Sequence, residues 1–326
     1  MASVMLAPVV AVGVQTWGTD LRALRRYWAR ADELGYARIT YGDGLWSWTH
    51  DGWTLLAVLA GETRRARIGP AVTYAFDAAA HHPSWLAKRA VAVDHASDGR
   101  LDLRLAVGAG DAATAAEWAV HGIPYPDRAE RVRRLEEAVR AMRALWAGET
   151  VVMSARAFRL AGARLGPAPV QRPGPPVWIA AMRPQALALV SRVADGWEAS
   201  FVTPARLAGM SSRLDELLAA AGRPAASLRR SVELDAIVVA SPREHDAWLE
   251  RFRTARGLPA GHAVVDAVLA GEPSAVAARV RAYAAAGATD LMLGFADFPE
   301  TGMLERFARE VMPALRALTP ATRRGP

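Results

Sequence analysis

An α/β barrel, eight parallel strands alternating with helices, is the fold class this sequence predicts, and three observations predict it. Eight short, apolar, β-rich runs recur along the 326 residues, helical periodicity fills the intervals between them, and no linker or shift in composition divides the chain. A chain of this length exceeds the usual single domain, yet α/β barrels reach it as one unit, so residues 1–326 are read as a single (β/α)₈ TIM-type barrel with insertion loops. A doubly wound open sheet is the alternative, and the even spacing favours the barrel.

Taken in order, Val9 to Val14 is the first run and stops at Gln15-Thr16-Trp17-Gly18. Asp20 then caps a helix with Leu21, Leu24, Trp28 and Ala31 on one face and Gly35 as its stop. Ala37 to Tyr41 is the second strand, followed by the loop from Gly42 to Asp51 and a helix from about Trp53 to Glu62. Arg67 to Thr73 is the third strand; Pro83 opens the next helix at its first position and Gly99 closes it. The fourth strand, Leu101 to Val107, runs into Gly108-Ala109-Gly110-Asp111, and a polar turn leads to an amphipathic helix from about Asp127 to Ala147. Thr150 to Pro176 is rich in Gly, Pro and Arg and is read as a surface hairpin or loop. Val177–Ala181, Gly196–Ser200, Ser231–Ala240 and Asp290–Phe295 complete the strands, with helices at Pro184–Ala194 and at about 204–221, 273–286 and 299–317. Between about 240 and 273 the pattern loses clarity and is read as an insertion.

Composition excludes several classes. With no cysteine, disulfides, thiolate metal sites and a cysteine nucleophile are impossible, which fits a reducing cytoplasm. The N-terminus has an apolar run without a basic start and is not read as a signal peptide. No apolar run is long enough for a membrane span. The net charge of +7 is almost all arginine, Lys88 being the sole lysine, and the arginines sit beside acids at helical spacing, as in 128–146. A nucleic-acid groove would need a basic stripe with aromatic platforms, which is absent; the surplus suits a polyanionic cofactor tail or a phosphorylated small-molecule substrate. The histidines form no metal pattern, and there is no G-x-S-x-G elbow, no phosphate-binding G-x-x-x-x-G-K-[ST] loop and no strand-linked G-x-G-x-x-G.

In a barrel the chemistry lies just beyond the strands' C-terminal ends. There, Gly108 and Gly110 allow close backbone approach to a ligand or simply form a tight turn, with Asp111 as an acidic helix start. Ala180-Ala181-Met182-Arg183 enters a helix through Pro184, whose free N–H groups can meet a phosphate beside the Arg183 charge. Trp46, Trp48 and Trp53 cluster after the second strand, and Trp17, Trp46, Trp48 and Tyr74 are read as walls of a substrate pocket, against the plainer reading of packing residues.

The order IG-x-AVT, HP-x-x-LA, a helix ending D-x-x-S-x-GR and a strand ending G-x-GD resembles the bacterial luciferase-like superfamily, in particular the branch that uses the deazaflavin coenzyme F420. The likeness continues through GYARITYGD at 35–43, PPVWIAAMRPQALALVSRVADGW at 175–197 and LMLGF at 291–295. The resemblance implies a barrel that binds F420, or FMN as the alternative, and a homodimer. It places Ala71, Val72 and Thr73 at a bulge with a non-proline cis peptide that supports the cofactor ring, Asp43 and Asp111 as catalytic and cofactor-binding carboxylates, and Gly108, Gly110 and Ala180 to Arg183 along the rest of the cofactor. It also implies that His82 shapes a loop. One departure stands out: Gly44 follows Asp43 where relatives carry a histidine that donates or accepts a proton. Asp111, Tyr41, Tyr74 and His50 are the substitutes weighed for that role. The implied activity is F420-dependent hydride transfer to or from a small organic substrate; an FMN-dependent monooxygenase and a non-catalytic ligand-binding barrel are the alternatives.

Overall fold

The apolar runs form strands buried on both sides, and the computed structural model describes residues 10–76, 81–259 and 261–316. In chain order the strands are β1 (Ala11–Thr16), β2 (Arg38–Tyr41), β3 (Arg67–Pro70), β4 (Thr73–Tyr74), β5 (Leu103–Ala106), β6 (Val151–Ser154), β7 (Arg159–Ala163), β8 (Val177–Ala180), β9 (Gly196–Ser200), β10 (Arg229–Val238), β11 (Leu269–Gly271) and β12 (Asp290–Phe295). Val9, assigned to the first strand from sequence, lies outside the described residues, as does the end of the last helix at Ala317.

The main sheet is parallel and runs β3-β2-β1-β12-β10-β9-β8-β5-β4. β3 and β4 are one strand interrupted at Ala71-Val72, and Ile68 bridges Leu101 beside β5, so the two ends of that order meet and the sheet closes into the expected barrel. Side-chain caps start the helices where the sequence places them: Asp20 accepts from the Ala23 N–H at 3.0 Å, and Asp51 and Asp127 each accept at 2.8 Å, from Thr54 and Glu130. The Gly- and Pro-rich stretch after the 128–146 helix is the antiparallel hairpin β6–β7.

Two segments differ from the sequence reading. The polar turn after Asp111 contains a helix, Ala112–Ala119, in which only Trp118 is buried; an alanine-rich helix with one anchor shows no apolar stripe. The indistinct stretch holds the helix Pro242–Ala255, a short helix Ala263–Ala267, and β11, which pairs in parallel with the end of β10. Again a single residue of the longer helix, Phe252, is buried, so periodicity is weak there.

The lumen is polar. Arg104 on β5 pairs with Glu198 on β9, two strands separated by β8, so the two side chains meet across that strand. The Ser231 hydroxyl donates to the same Glu198 at 3.1 Å, and the guanidinium groups of Arg38 and Arg104 lie 5.1 and 4.7 Å from the Trp178 ring. At the N-terminal end Arg38 bonds Asp102 at 2.9 Å and also pairs with Asp290; Arg67 reaches Asp102 at 2.7 Å and Arg229 reaches Asp290 at 2.9 Å. Small residues make room for this network: a side chain on Gly13 would meet Met292 and Arg38.

Arg38→Met is expected to cost about 3 kcal/mol, the low end for breaking a buried ion pair, because Arg67 and Arg229 still partner the two aspartates. Urea unfolding of both proteins measures it; an unchanged midpoint would show that this network does not hold the barrel closed.

Candidate active site at the C-terminal mouth

Two hollows of about 640 and 570 Å³ open beyond the strand tips, and both are lined by Gln15, Trp48, Ala71 and Glu233, so they adjoin. The larger brings together most residues singled out from sequence: Ala71, Val72, Gly108, Gly110, Asp111, Ala180, Ala181, Met182 and Arg183, with Trp46, Trp48 and Tyr74. Trp17 lines the smaller one. Asp43 and Thr73 line neither; they lie behind the wall.

The Ala71-Val72 peptide is cis, as the resemblance implies. What fixes the segment after it is a buried relay. The Trp53 indole donates to the Thr73 hydroxyl at 3.1 Å, and that hydroxyl donates to the Asp43 carboxylate. Gly52 packs so closely on Asp43 that a Cβ there would collide with the carboxylate. Burial pushes the Asp43 carboxyl up, against the pull of the Thr73 hydroxyl. Asp43 is thus a brace for β4, with no face to the hollow.

Asp111 sits on the rim, exposed, as the N-cap of Ala112–Ala119: it accepts from the Thr114 N–H at 2.8 Å and the Thr114 hydroxyl at 3.2 Å. The Thr114 N–H holds its carboxyl below the usual range, so at neutral pH it is an anion. The turn before it is braced by Arg131, which donates to Val107 O at 2.6 Å and Ala109 O at 2.7 Å and lies 4.0 Å from the Tyr125 ring. Gly108 needs its φ of +80°, and a Cβ on Gly110 would strike the Arg128 guanidinium, so only glycines allow that arginine to close over the turn.

At Gly44, where the resemblance implies a histidine, the space is filled. A Cβ on Gly44 would overlap the Trp46 ring, which stacks on Trp48 at 4.9 Å and 10° and meets Tyr74 edge-on at 6.0 Å. Of the substitutes weighed from sequence, Tyr41 donates to Gly18 O at 2.7 Å and His50 contacts Thr19 O at 3.0 Å, and neither lines a hollow. Burial pushes the Tyr74 hydroxyl pKa well up.

Sequence reasoning passed over Gln15, Glu198, Ser200, Glu233, Asp235 and Arg256, which line the hollows. A signal was there: Ser231, Glu233 and Asp235 alternate with apolar residues after the first two arginines of β10, the period that sends every second residue to one face. Gln15 donates to Glu233 at 2.8 Å and Arg256 to Asp235 at 2.6 Å. Burial, then the neighbouring Glu198 carboxylate, push Glu233 up to about 7, and burial pushes Asp235 to about 6. Among the described residues no cluster of His, Asp or Glu is arranged to hold a metal ion, and no helix is long and apolar enough to cross a membrane.

The profile of the luciferase-like monooxygenase family matches residues 1–290. The chain belongs to that family. Among curated luciferase-like relatives it is 28% identical to the F420-dependent glucose-6-phosphate dehydrogenase of Amycolatopsis mediterranei (strain U-32), over 91% of this chain and 95% of the other. It is 26% identical to the F420-dependent hydroxymycolic acid dehydrogenase of Mycobacterium tuberculosis (strain ATCC 25618 / H37Rv), covering 88% and 82%. Among solved structures, the coenzyme F420-dependent tetrahydromethanopterin reductase of Methanopyrus kandleri superposes with a TM-score of 0.80 at 18% identity, covering 94% of this chain and 99% of that one. The monooxygenase RslO1 of Streptomyces bottropensis reaches 0.77 at 22% identity, covering 93% and 99%. At these identities the structures testify to the shared barrel.

Two predictions follow from this luciferase-like site. Because Glu233 holds a proton in the folded chain that an unfolded glutamate releases near its ordinary pKa of about 4.3, its contribution to stability is complete below that pH and is lost as pH rises through about 7. The thermal midpoint of Glu233→Gln is therefore expected to fall less than wild type's between about pH 5 and pH 8; parallel curves would contradict the raised carboxyl. Gly44→Ala is expected to push Trp46 off Trp48 and abolish the stacked-indole signal in near-UV circular dichroism while leaving the far-UV spectrum intact.

Proposed function

We propose that this protein is an F420-dependent oxidoreductase that moves a hydride between the deazaflavin and a small organic substrate at the mouth of the barrel. The observation that carries the reading is the make-up of the larger hollow. An apolar and aromatic seat at Ala71, Val72, Trp46 and Trp48 opens onto a rim with two cations, Arg128 and Arg183, that form no salt bridge among the described residues. The helix beginning at Pro184 adds a first turn with no side-chain cap, so its N–H groups remain for an anion. That donor set fits a planar ring with a phosphate-linked, polyanionic tail, and the curated relatives matched over most of the chain are F420-dependent enzymes.

Ala71, Val72, Gly108 and Gly110 would hold the ring and its linker, with Arg128, Arg183 and the Ala180–Arg183 backbone along the phosphate and tail. When bound, the deazaflavin supplies the hydride donor or acceptor. The chain's own work is orientation and proton handling. Asp43 and Trp53 fix Thr73, and hence the strand tip beneath the seat. Arg131 fixes the glycine turn through two carbonyls. Asp111 shapes the rim as an ionised helix cap rather than donating a proton. A homodimer is part of this reading by analogy with the family, and light scattering at twice the chain mass would support it.

Fluorescence titration of the apo-protein with F420 and, separately, with FMN tests the proposal. F420 is expected to bind more tightly, and Arg128→Ala and Arg183→Ala each to weaken it about fivefold, the ~1 kcal/mol of a partly exposed charge pair, with the loss shrinking at high salt. Tighter binding of FMN would turn the reading to the flavin monooxygenases, and binding of neither would end it.

A further inference from the structure

Gly44 lies against the Trp46 ring and carries no side chain, so that position offers no group for a substrate's proton. One carboxyl lines both hollows. Glu233 accepts from Gln15 on β1 and from Ser200 on β9, and unlike Asp235 it is not paired with an arginine. Among the described residues, the ionisable groups turned toward it are Glu198, held by Arg104 and Ser231, Asp235, held by Arg256, and Tyr74, which approaches from β4. Two anions close by and a lumen out of bulk water favour the protonated acid, and a value near 7 lets one carboxyl give and take a proton at neutral pH.

The same surroundings select the substrate. The smaller hollow is walled by Trp17, Trp48, Phe201 and Leu234 over the two acids Glu233 and Asp235. Its one cation among the described lining residues, Arg256, is committed to Asp235 and packs 5.8 Å from Phe201 and 4.7 Å from Phe252. A phosphate dianion there would face two carboxyls with no free counter-charge, whereas an aromatic or alicyclic body fits the walls and a hydroxyl finds an acceptor in Glu233.

Resting on the F420 reading above, we propose that the smaller hollow takes an uncharged, ring-bearing secondary alcohol or its ketone, and that Glu233 exchanges the hydroxyl proton. In the oxidative direction the carbinol C–H bond breaks and its electron pair leaves as hydride to the deazaflavin. The O–H proton passes to the Glu233 carboxylate and the C=O bond forms, so the alcohol loses two electrons and the cofactor gains them. The reverse reaction returns the proton from Glu233 to the ketone oxygen.

The test is oxidation of 1-phenylethanol, cyclohexanol and glucose 6-phosphate by the F420-loaded enzyme, followed by loss of F420 absorbance across pH. The ring alcohols are expected to react and glucose 6-phosphate not to, with kcat/KM rising through about pH 7. Glu233→Gln is expected to bind F420 like wild type, lose about 10²-fold or more in kcat with KM little changed, and lose the rise with pH. Glu233→Asp, which keeps the acid, is expected to fall between them with a moved pH midpoint, and it decides the matter if the glutamine variant does not fold. Glucose 6-phosphate as the preferred substrate, no reaction with either ring alcohol, or full activity in Glu233→Gln would overturn the proposal. Failure of F420 to bind wild type at all would instead strike the parent reading.

Discussion

A closed parallel barrel sends every second residue of each strand into a space a few side chains wide, and any charge placed there must be answered by another charge or hydrogen bond across the lumen. That constraint governs this molecule. Arg38, Arg104, Asp102, Glu198 and Asp290 are buried, and each finds its partner in a different segment of the chain: Arg104 with Glu198, Arg38 with Asp102 and Asp290. The inward face of β10 then rises from Ser231, tied to Glu198, through Glu233 to Asp235, which open on the hollows.

The same logic shapes the mouth. A carboxylate kept from water is useful as a fixed acceptor, and Asp43 serves that way, taking the Thr73 hydroxyl behind the seat. An exposed carboxylate at a helix start is stabilised as an anion, and Asp111 serves that way. The two acids flagged by resemblance both brace the backbone around the site, while Glu233, which lines both hollows, is one the sequence reading passed over. With glycine at position 44, the Trp46 ring takes up the space of a side chain there and makes that wall aromatic. In the proposed enzyme the proton role moves across the mouth to β10.

Much of this was legible in one sequence. The strands, the cap at Asp20, the helices beginning near Trp53 and Asp127, the hairpin after the 128–146 helix and the glycine turn at Gly108 to Gly110 follow from local patterns that need no distant partner. The helices Ala112–Ala119 and Pro242–Ala255 escaped because each buries a single side chain, so no stripe forms.

The sequence by itself determined the barrel and the loops that bear the site, since periodicity, capping and turn chemistry are properties of neighbouring residues. Only the tertiary structure decided what each acid does. Glu198, Glu233 and Asp235 are alike in sequence as acids on strands; their differences come from Arg104, Gln15 and Arg256, which lie on other elements and meet them only when the sheet closes. A carboxyl's proton affinity depends on its solvation and its neighbours' charges in space, and neither is written in chain order.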